Sequence, residues 1–243
     1  MLGTKLGISD KQYNIVTDGL VVNYVPGFLN SYPGSGTTVT NINGAGPNGT
    51  LGGGTAYTGP SGNAGGKFTF DGTDDEITAA DDAALDVTAV TLQCWAYLLS
   101  GDTGANWTII GRPGGASSRY KIRASSSDSV ILMQIYDSTY RQGPSLNISS
   151  DNLQDNWNFL SFSYDYNASD GQRFKVYLNG VLDSQSTTGG GTIATDTVGL
   201  EFMTSTADSS FKAGYLGPCM IYDRELTAGE ILQNYNATKD RYV

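Results

Sequence analysis

A chain of 243 residues is long enough for one β-sandwich with a sizeable core, and its 39% hydrophobic and 11% aromatic content excludes a disordered chain. Twenty-four acidic residues against 14 basic ones give a net charge of −10, which repels phosphate backbones and argues against nucleic acid as a partner. No stretch is apolar enough to span a bilayer and no Lys/Arg cluster marks an anionic membrane patch, so no membrane partner is expected.

Met1-Leu2-Gly3-Thr4-Lys5 leads into a polar stretch with no apolar run, so synthesis in a cytoplasm with reduced thiols is expected. Residues 1–17 are expected to form an N-terminal arm outside the sandwich that packs on a partner subunit. Residues 18–243 then form one domain. Its first strand is Leu20-Val21-Val22-Asn23-Tyr24. From Pro26 to Gly66 the turn dipeptides Pro33-Gly34, Asn43-Gly44 and Asn48-Gly49 predict extended loops, with a short strand around Thr37–Ile42. Lys67–Phe70 and Glu76–Ala79 follow as strands. Val90–Leu98 alternates with apolar bulk on both faces, which predicts a central strand covered on both sides.

Further strands are predicted at Thr108–Gly111, Arg119–Ala124, Val130–Tyr136, Trp157–Tyr166 and Arg173–Leu178. Asn179-Gly180 between Leu178 and Val181 is the strongest hairpin signal, because a type I′ turn needs positive φ at both central residues. Val198–Met203 and Phe211–Tyr222 complete the strands. One helix is predicted, over Thr227–Tyr235: Thr227 caps it, Glu230 closes a capping box, and Leu226 and Ile231 occupy the staple positions. Regular short strands with one helix read as a sandwich or jelly roll.

Several segments together resemble the concanavalin A-like, laminin-G-like jelly-roll superfamily. They are Gly19–Tyr24, Ser31–Gly36, Asn48–Leu51, Phe70-Asp71-Gly72-Thr73-Asp74-Asp75, Leu92–Ala96, Val176–Gly180 and Gly214–Glu230. The likeness covers about residues 17–238. The "SYPGSGT" loop and "ILQNYNA" tail are similar to versions in structural proteins of tailed bacteriophages. The resemblance implies an all-β, concanavalin A-like jelly-roll sandwich of two antiparallel sheets with one short C-terminal helix. It does not fix the function, because this fold serves lectins, glycosidases and scaffolds. It also implies that the strands of Cys94 and Cys219 are neighbours, and both residues read as small buried thiols.

The chain has no histidine, which removes the commonest general base and metal ligand. Glycoside hydrolysis needs two carboxylates facing each other across a cleft. The glutamates Glu76, Glu201, Glu225 and Glu230 each stand alone in sequence, and Glu201 reads as a solvated strand position. No enzyme is therefore expected. Asp71, Asp74 and Asp75 offer oxygen ligands of the kind calcium takes, and some relatives bind calcium in loops. They read equally as ordinary turn formers, so no cofactor is assigned beyond calcium as a candidate. Gly44–Gly49 matches G-x-G-x-x-G, but Pro47 and the absence of a following helical pattern make it a plain loop. Among aromatics that could stack on sugars, Trp107 and Tyr140 lie nearest loops.

Two functions follow as expectations. The first is a non-enzymatic structural or decoration component of a bacteriophage virion, partnered by other virion proteins and arranged alone or as a homo-oligomer. The second is a carbohydrate-binding module for host or environmental glycans. The two can coexist.

Overall fold

The computed structural model describes residues 14–42, 45–61, 64–100, 107–113, 119–125, 129–205 and 209–243. In chain order the strands are β1 (Leu20–Tyr24), β2 (Thr38–Val39), β3 (Gly49–Gly52), β4 (Ala56–Thr58), β5 (Lys67–Asp71) and β6 (Glu76–Ala79). Next come β7 (Ala89–Leu98), β8 (Trp107–Arg112), β9 (Tyr120–Ser125), β10 (Val130–Tyr136), β11 (Tyr140–Asn147) and β12 (Trp157–Asp165). The last are β13 (Phe174–Leu178), β14 (Val181–Ser186), β15 (Leu200–Ser205), β16 (Ser210–Phe211) and β17 (Ala213–Tyr222), followed by helix α1 (Ala228–Thr238).

Every strand pair is antiparallel. One sheet has the order β14-β13-β12-β7-β17-β5-β4, with β1 also on β17. The other runs β11-β10-β9-β8-β15-β6-β3-β2, with β16 on β15. Between them lies the main core, drawn from alternate residues of each strand: Leu92, Cys94 and Ala96 from β7, Ile122 from β9, Met133 from β10 and Phe162 from β12. The fold is the expected concanavalin A-like jelly-roll sandwich.

A second cluster covers the outside of the first sheet. Trp95, Phe159, Tyr177 and Tyr222 point outward there and meet Leu226, Ile231 and Tyr242. Trp95 is fully buried, stacks on Tyr242 at 5.0 Å between ring centroids and donates its indole N–H to Thr238 Oγ1. This explains the apolar bulk on both faces of β7: one face meets the other sheet and one meets the helix. We call this the helix-covered sheet and its partner the open sheet.

The local signals translate directly. Asn179 and Gly180 have φ of 52° and 81°, and Leu178 faces Val181, as a type I′ hairpin requires. Thr227 Oγ1 accepts from the Glu230 N–H while Glu230 accepts from the Thr227 N–H, so the capping box forms, and α1 runs three residues past the expected end. Cys94 and Cys219 face each other across β7 and β17 as free, buried thiols.

Three expectations need correction. Tyr140–Asn147 is a strand without a sequence signal, because it is the polar edge of the open sheet, where Pro144 is tolerated. Thr37–Ile42 pairs only at Thr38–Val39, and Gly49–Gly52, read as loop, is the strand beside it. The last residues of the expected arm do not leave the sandwich: Val16 is buried in the helix-covered cluster, with Ile15 packed against it. Residues 1–13 of that arm lie outside the described residues.

Candidate functional site

The two sheets differ in what their outer faces carry. On the open sheet, core residues alternate with outward ones, and strand register lines the outward ones up. Gln142 faces Gln134, which faces Lys121, which faces Gly111. Gly111 faces Glu201, which faces Thr78, then Thr50, then Thr38. One row therefore crosses all eight strands of the sheet path with no apolar side chain in it, about 34 Å at the usual strand spacing. Among the described residues no helix covers this face.

The row is recessed. Lys121 is 8% exposed, Gln134 7% and Glu201 8%, so little of these side chains meets solvent. A residue pair away toward one end of β10, Tyr136 faces Tyr140, with ring centroids 5.4 Å apart at 70°. Tyr140 is 43% exposed. Arg119 lies 5.4 Å over the Tyr136 ring and bonds Asp196 through Nη2 at 2.6 Å. On the other side of the row Leu132 faces Arg123, which faces Thr108. Amides, hydroxyls, charges of both signs and an exposed aromatic edge thus share one surface, which is the equipment for hydrogen-bonding and stacking on a sugar.

Sequence reading singled out Tyr140, which is exposed on the edge strand β11, and missed the row, because register across eight strands is invisible in a one-dimensional pattern. It also misplaced Glu201, which is buried beside other outward residues of the open sheet rather than solvated. Nor does Glu201 stand alone. Thr78 faces it, so Glu76 sits diagonally across from it, on the same face. Burial raises the Glu76 carboxyl above its usual value and the Glu201 charge raises it further. Glu76 Oε2 is buried without a hydrogen-bond partner.

Trp107, expected to be a sugar-stacking ring, is 3% exposed and belongs to the main core. It opens β8 facing Ala124, so alternation turns it inward. Lys212 lies 5.4 Å over its ring. The adjoining cavity, lined by Leu98, Ile148 and Gln154 among others, holds about 30 Å³, room for a water and not for a sugar.

The acidic run divides by role. Asp71, Asp74 and Asp75 converge in the β5–β6 turn with carboxylate oxygens within 4.8 Å of one another. Burial raises the Asp75 pKa against the lowering effect of the Asp71 N–H it accepts, and the charges of Asp71 and Asp74 raise it further. Asp71 Oδ1 accepts from the Thr73 N–H. Hard oxygen donors fit calcium in type, and carbonyls or water would have to complete its coordination. The same hydrogen bonds hold the turn without an ion. Asp81 instead pairs with Arg112, and Asp82 caps the 3₁₀ turn Ala83–Leu85.

Arg112 was missed altogether. Its guanidinium is fully buried and held by Asp81, by Asp86 at 2.6 Å, and by the carbonyls of Leu85, Val198 and Asp196. It ties the β6–β7 connection to the loop before β15 and fixes the end of the open sheet.

Solved structures of similar shape include receptor and ligand binding domains. The receptor binding domain of botulinum neurotoxin C/D mosaic serotype matches with a TM-score of 0.70 at 14% identity, over 91% of this chain and 52% of that one. The botulinum neurotoxin serotype D ligand binding domain in complex with N-acetylneuraminic acid gives 0.69 and 14%, over 93% and 52%. The botulinum neurotoxin type G receptor binding domain gives 0.66 and 15%, over 90% and 51%. The chain spans about half the length of these solved chains, and at such identities the likeness concerns the fold alone. No curated protein matches the chain. The family model of the concanavalin A-like lectin/glucanases superfamily, however, matches residues 71–232, from the aspartate turn into helix α1 and with every member of the outward row except Thr50 and Thr38, and the chain belongs to that superfamily.

Proposed function

We propose that this chain is a non-enzymatic glycan-binding module whose ligand lies along the open sheet, against Tyr140. The observation that carries this reading is the unbroken polar row beside the Tyr136–Tyr140 pair. It is supported by a lectin-type family and by neighbours that are binding domains, one of them solved with a sugar acid. Glycan-array screening followed by calorimetry tests it. Tyr140→Ala should weaken binding of the best array ligand by about tenfold, the usual loss of one stacking and hydrogen-bonding ring. No array ligand at all, from a folded preparation, would end the reading.

Glu76 and Glu201 keep the glucanase branch of the superfamily in view. The non-enzymatic reading requires that a polysaccharide panel show no turnover, and that Glu76→Gln change nothing in that assay.

The setting we propose is a phage particle, where the module would serve as an accessory subunit. This rests on the sequence resemblance and on the acidic composition, which suits a solvent-facing subunit. A mass-spectrometric inventory of purified particles, with copy number, decides it: absence from the particles removes the virion setting and leaves the glycan module.

A further inference from the structure

We propose that β14 and the adjoining face of helix α1 form a contact for a second copy of this chain, joined edge to edge across a two-fold axis.

The first observation is where the exposed apolar side chains lie. Among the described residues six large ones are exposed: Leu29, Tyr140, Val181, Leu182, Leu232 and Val243. Three of them gather at one junction. Val181 and Leu182 open β14, directly after the hairpin turn. Gly180 of that turn lies so close to Tyr235 of α1 that a Cβ there would come within 3.0 Å of its side chain. Leu232 stands one helical turn before Tyr235. Leu182 faces Tyr177, whose ring belongs to the helix-side cluster, so Leu182 and α1 share one side of the sheet.

The second observation is an unguarded strand edge at the same junction. β14 is the outermost strand of the helix-covered sheet and pairs only with β13. In a two-residue hairpin the closing pair, Leu178 and Val181, bonds inward. The N–H and C=O of the next residue, Leu182, therefore point to the free side. Among the described residues no hydrogen bond from outside the hairpin reaches the main chain of β14. The other outermost strands are protected. β2 and β4 are two and three residues long, and β11 carries Arg141 and Pro144. β14 has six residues with no proline, lysine or arginine, and its one irregularity is the bulge that leaves Asp183 unpaired.

Charge decides the occupant. A chain carrying −10 repels its own copies, so two can meet only where charge is sparse. Asp183 is the one charge of β14, and α1 turns Ala228, Gly229, Leu232, Gln233 and Asn236 to solvent, none of them charged. An edge strand is also self-complementary, since antiparallel pairing lets each copy satisfy the free main-chain groups of the other. The two-fold axis of such a pair stands perpendicular to the joined sheet. It sets both helices on one side, with Leu182 and Leu232 of each copy flanking the seam, and both open sheets on the other. β14 is roughly 20 Å long and α1 about 16 Å, so two such faces bury on the order of 1,000 Å² in total, enough for a weak specific dimer. Where the glycan reading holds, the dimer displays two ligand faces in one direction and gains avidity for multivalent surfaces. The dimer itself does not depend on that reading.

Sedimentation velocity of the full chain over about 1–200 µM tests the proposal. The expected result is a reversible monomer–dimer equilibrium that tightens as salt screens the negative charge, with a dissociation constant of about 1–100 µM. Leu182→Lys and Leu232→Glu, each checked for an unchanged unfolding midpoint, should raise that constant about tenfold or more. Leu29→Ser, which changes an exposed leucine elsewhere, should leave it as it is. A chain that stays monomeric throughout overturns the proposal, as does a dimer indifferent to both Leu182→Lys and Leu232→Glu. A monomer that dimerises only after deletion of residues 1–13 also overturns it, because the face is then covered by the chain's own beginning. In each of these cases the glycan reading stands, since the array decides it separately.

Discussion

The Val16 backbone N–H donates to Asn234 Oδ1 at 2.8 Å, although 218 residues separate the two in sequence. Asn234 Nδ2 reaches both Gln93 Oε1 and the Tyr222 hydroxyl oxygen, and the Tyr222 hydroxyl donates to the Val16 carbonyl. Gln93 in turn donates to Ser161 Oγ. One buried amide thus joins the start of the described chain, the helix and the central strands. Asn234→Ala should cost about 3 kcal/mol, because it strands the Val16 N–H and the Gln93 carbonyl oxygen away from water. Denaturant unfolding measures this, and a loss within about 0.5 kcal/mol would show that water replaces the amide. Deletion of residues 1–17 should likewise destabilise the sandwich, since Val16 is part of it.

The helix start carries a pH signature. Arg224 holds Glu230 through bonds of 2.6 and 3.0 Å, and also pairs with Asp18. Those bonds, reinforced by the Thr227 N–H and hydroxyl and opposed by burial, lower the Glu230 pKa to about 2. A carboxyl depressed on folding favours the native state above its unfolded pKa, near 4.5, and that contribution disappears as pH falls toward 2. Glu230→Gln should therefore flatten the acid limb of the stability profile over that range. Thr227→Ala should lose about 1 kcal/mol throughout. Parallel acid limbs for wild type and Glu230→Gln would refute the assignment.

Local chemistry was legible in the sequence and lateral chemistry was not. Thr227 acts on Glu230 three residues away and Asn179 adjoins Gly180, so spacing alone located the capping box and the hairpin. Val90–Leu98 showed its two buried faces through composition. The row from Gln142 to Thr38 depends instead on the register of seven strand pairings, including bulges between Leu132 and Gln134 and between Thr108 and Ile110. A one-residue slip would turn each of its members inward. Trp107 failed as a binding candidate for the same reason: nearness to a loop says nothing about which face a strand's first residue takes.

Arg112 illustrates the limit from the side of stability. In sequence it is one arginine before Pro113. In the fold it is a fully buried cation with two carboxylates and three carbonyls around it. Arg112→Met removes the charge and leaves those acceptors unmatched. The expected loss is about 3 kcal/mol, the low end for a broken buried pair, because Asp81 and Asp86 are about a third exposed and can rehydrate. Thermal or urea unfolding reads it. A neutral outcome would mean that the 3₁₀ turn Ala83–Leu85 and the loop before β15 hold without their common anchor.

Cys94 and Cys219 face each other directly across β7 and β17, with relative exposures of 0% and 2%. Burial pushes both thiols well above their usual pKa, and the Cys94 charge raises Cys219 further. Only the thiolate is nucleophilic, so neither residue should react while the sandwich is closed, despite their proximity. Alkylation without reductant should give no adduct on the native protein and two in denaturant, read by intact mass. The rate of labelling under native conditions should then follow the opening of the β7–β17 pair, and slow in any variant that stabilises the fold. Absence of adducts in denaturant would reveal a cross-strand disulfide. Rapid labelling of the native protein would place at least one thiol outside the core.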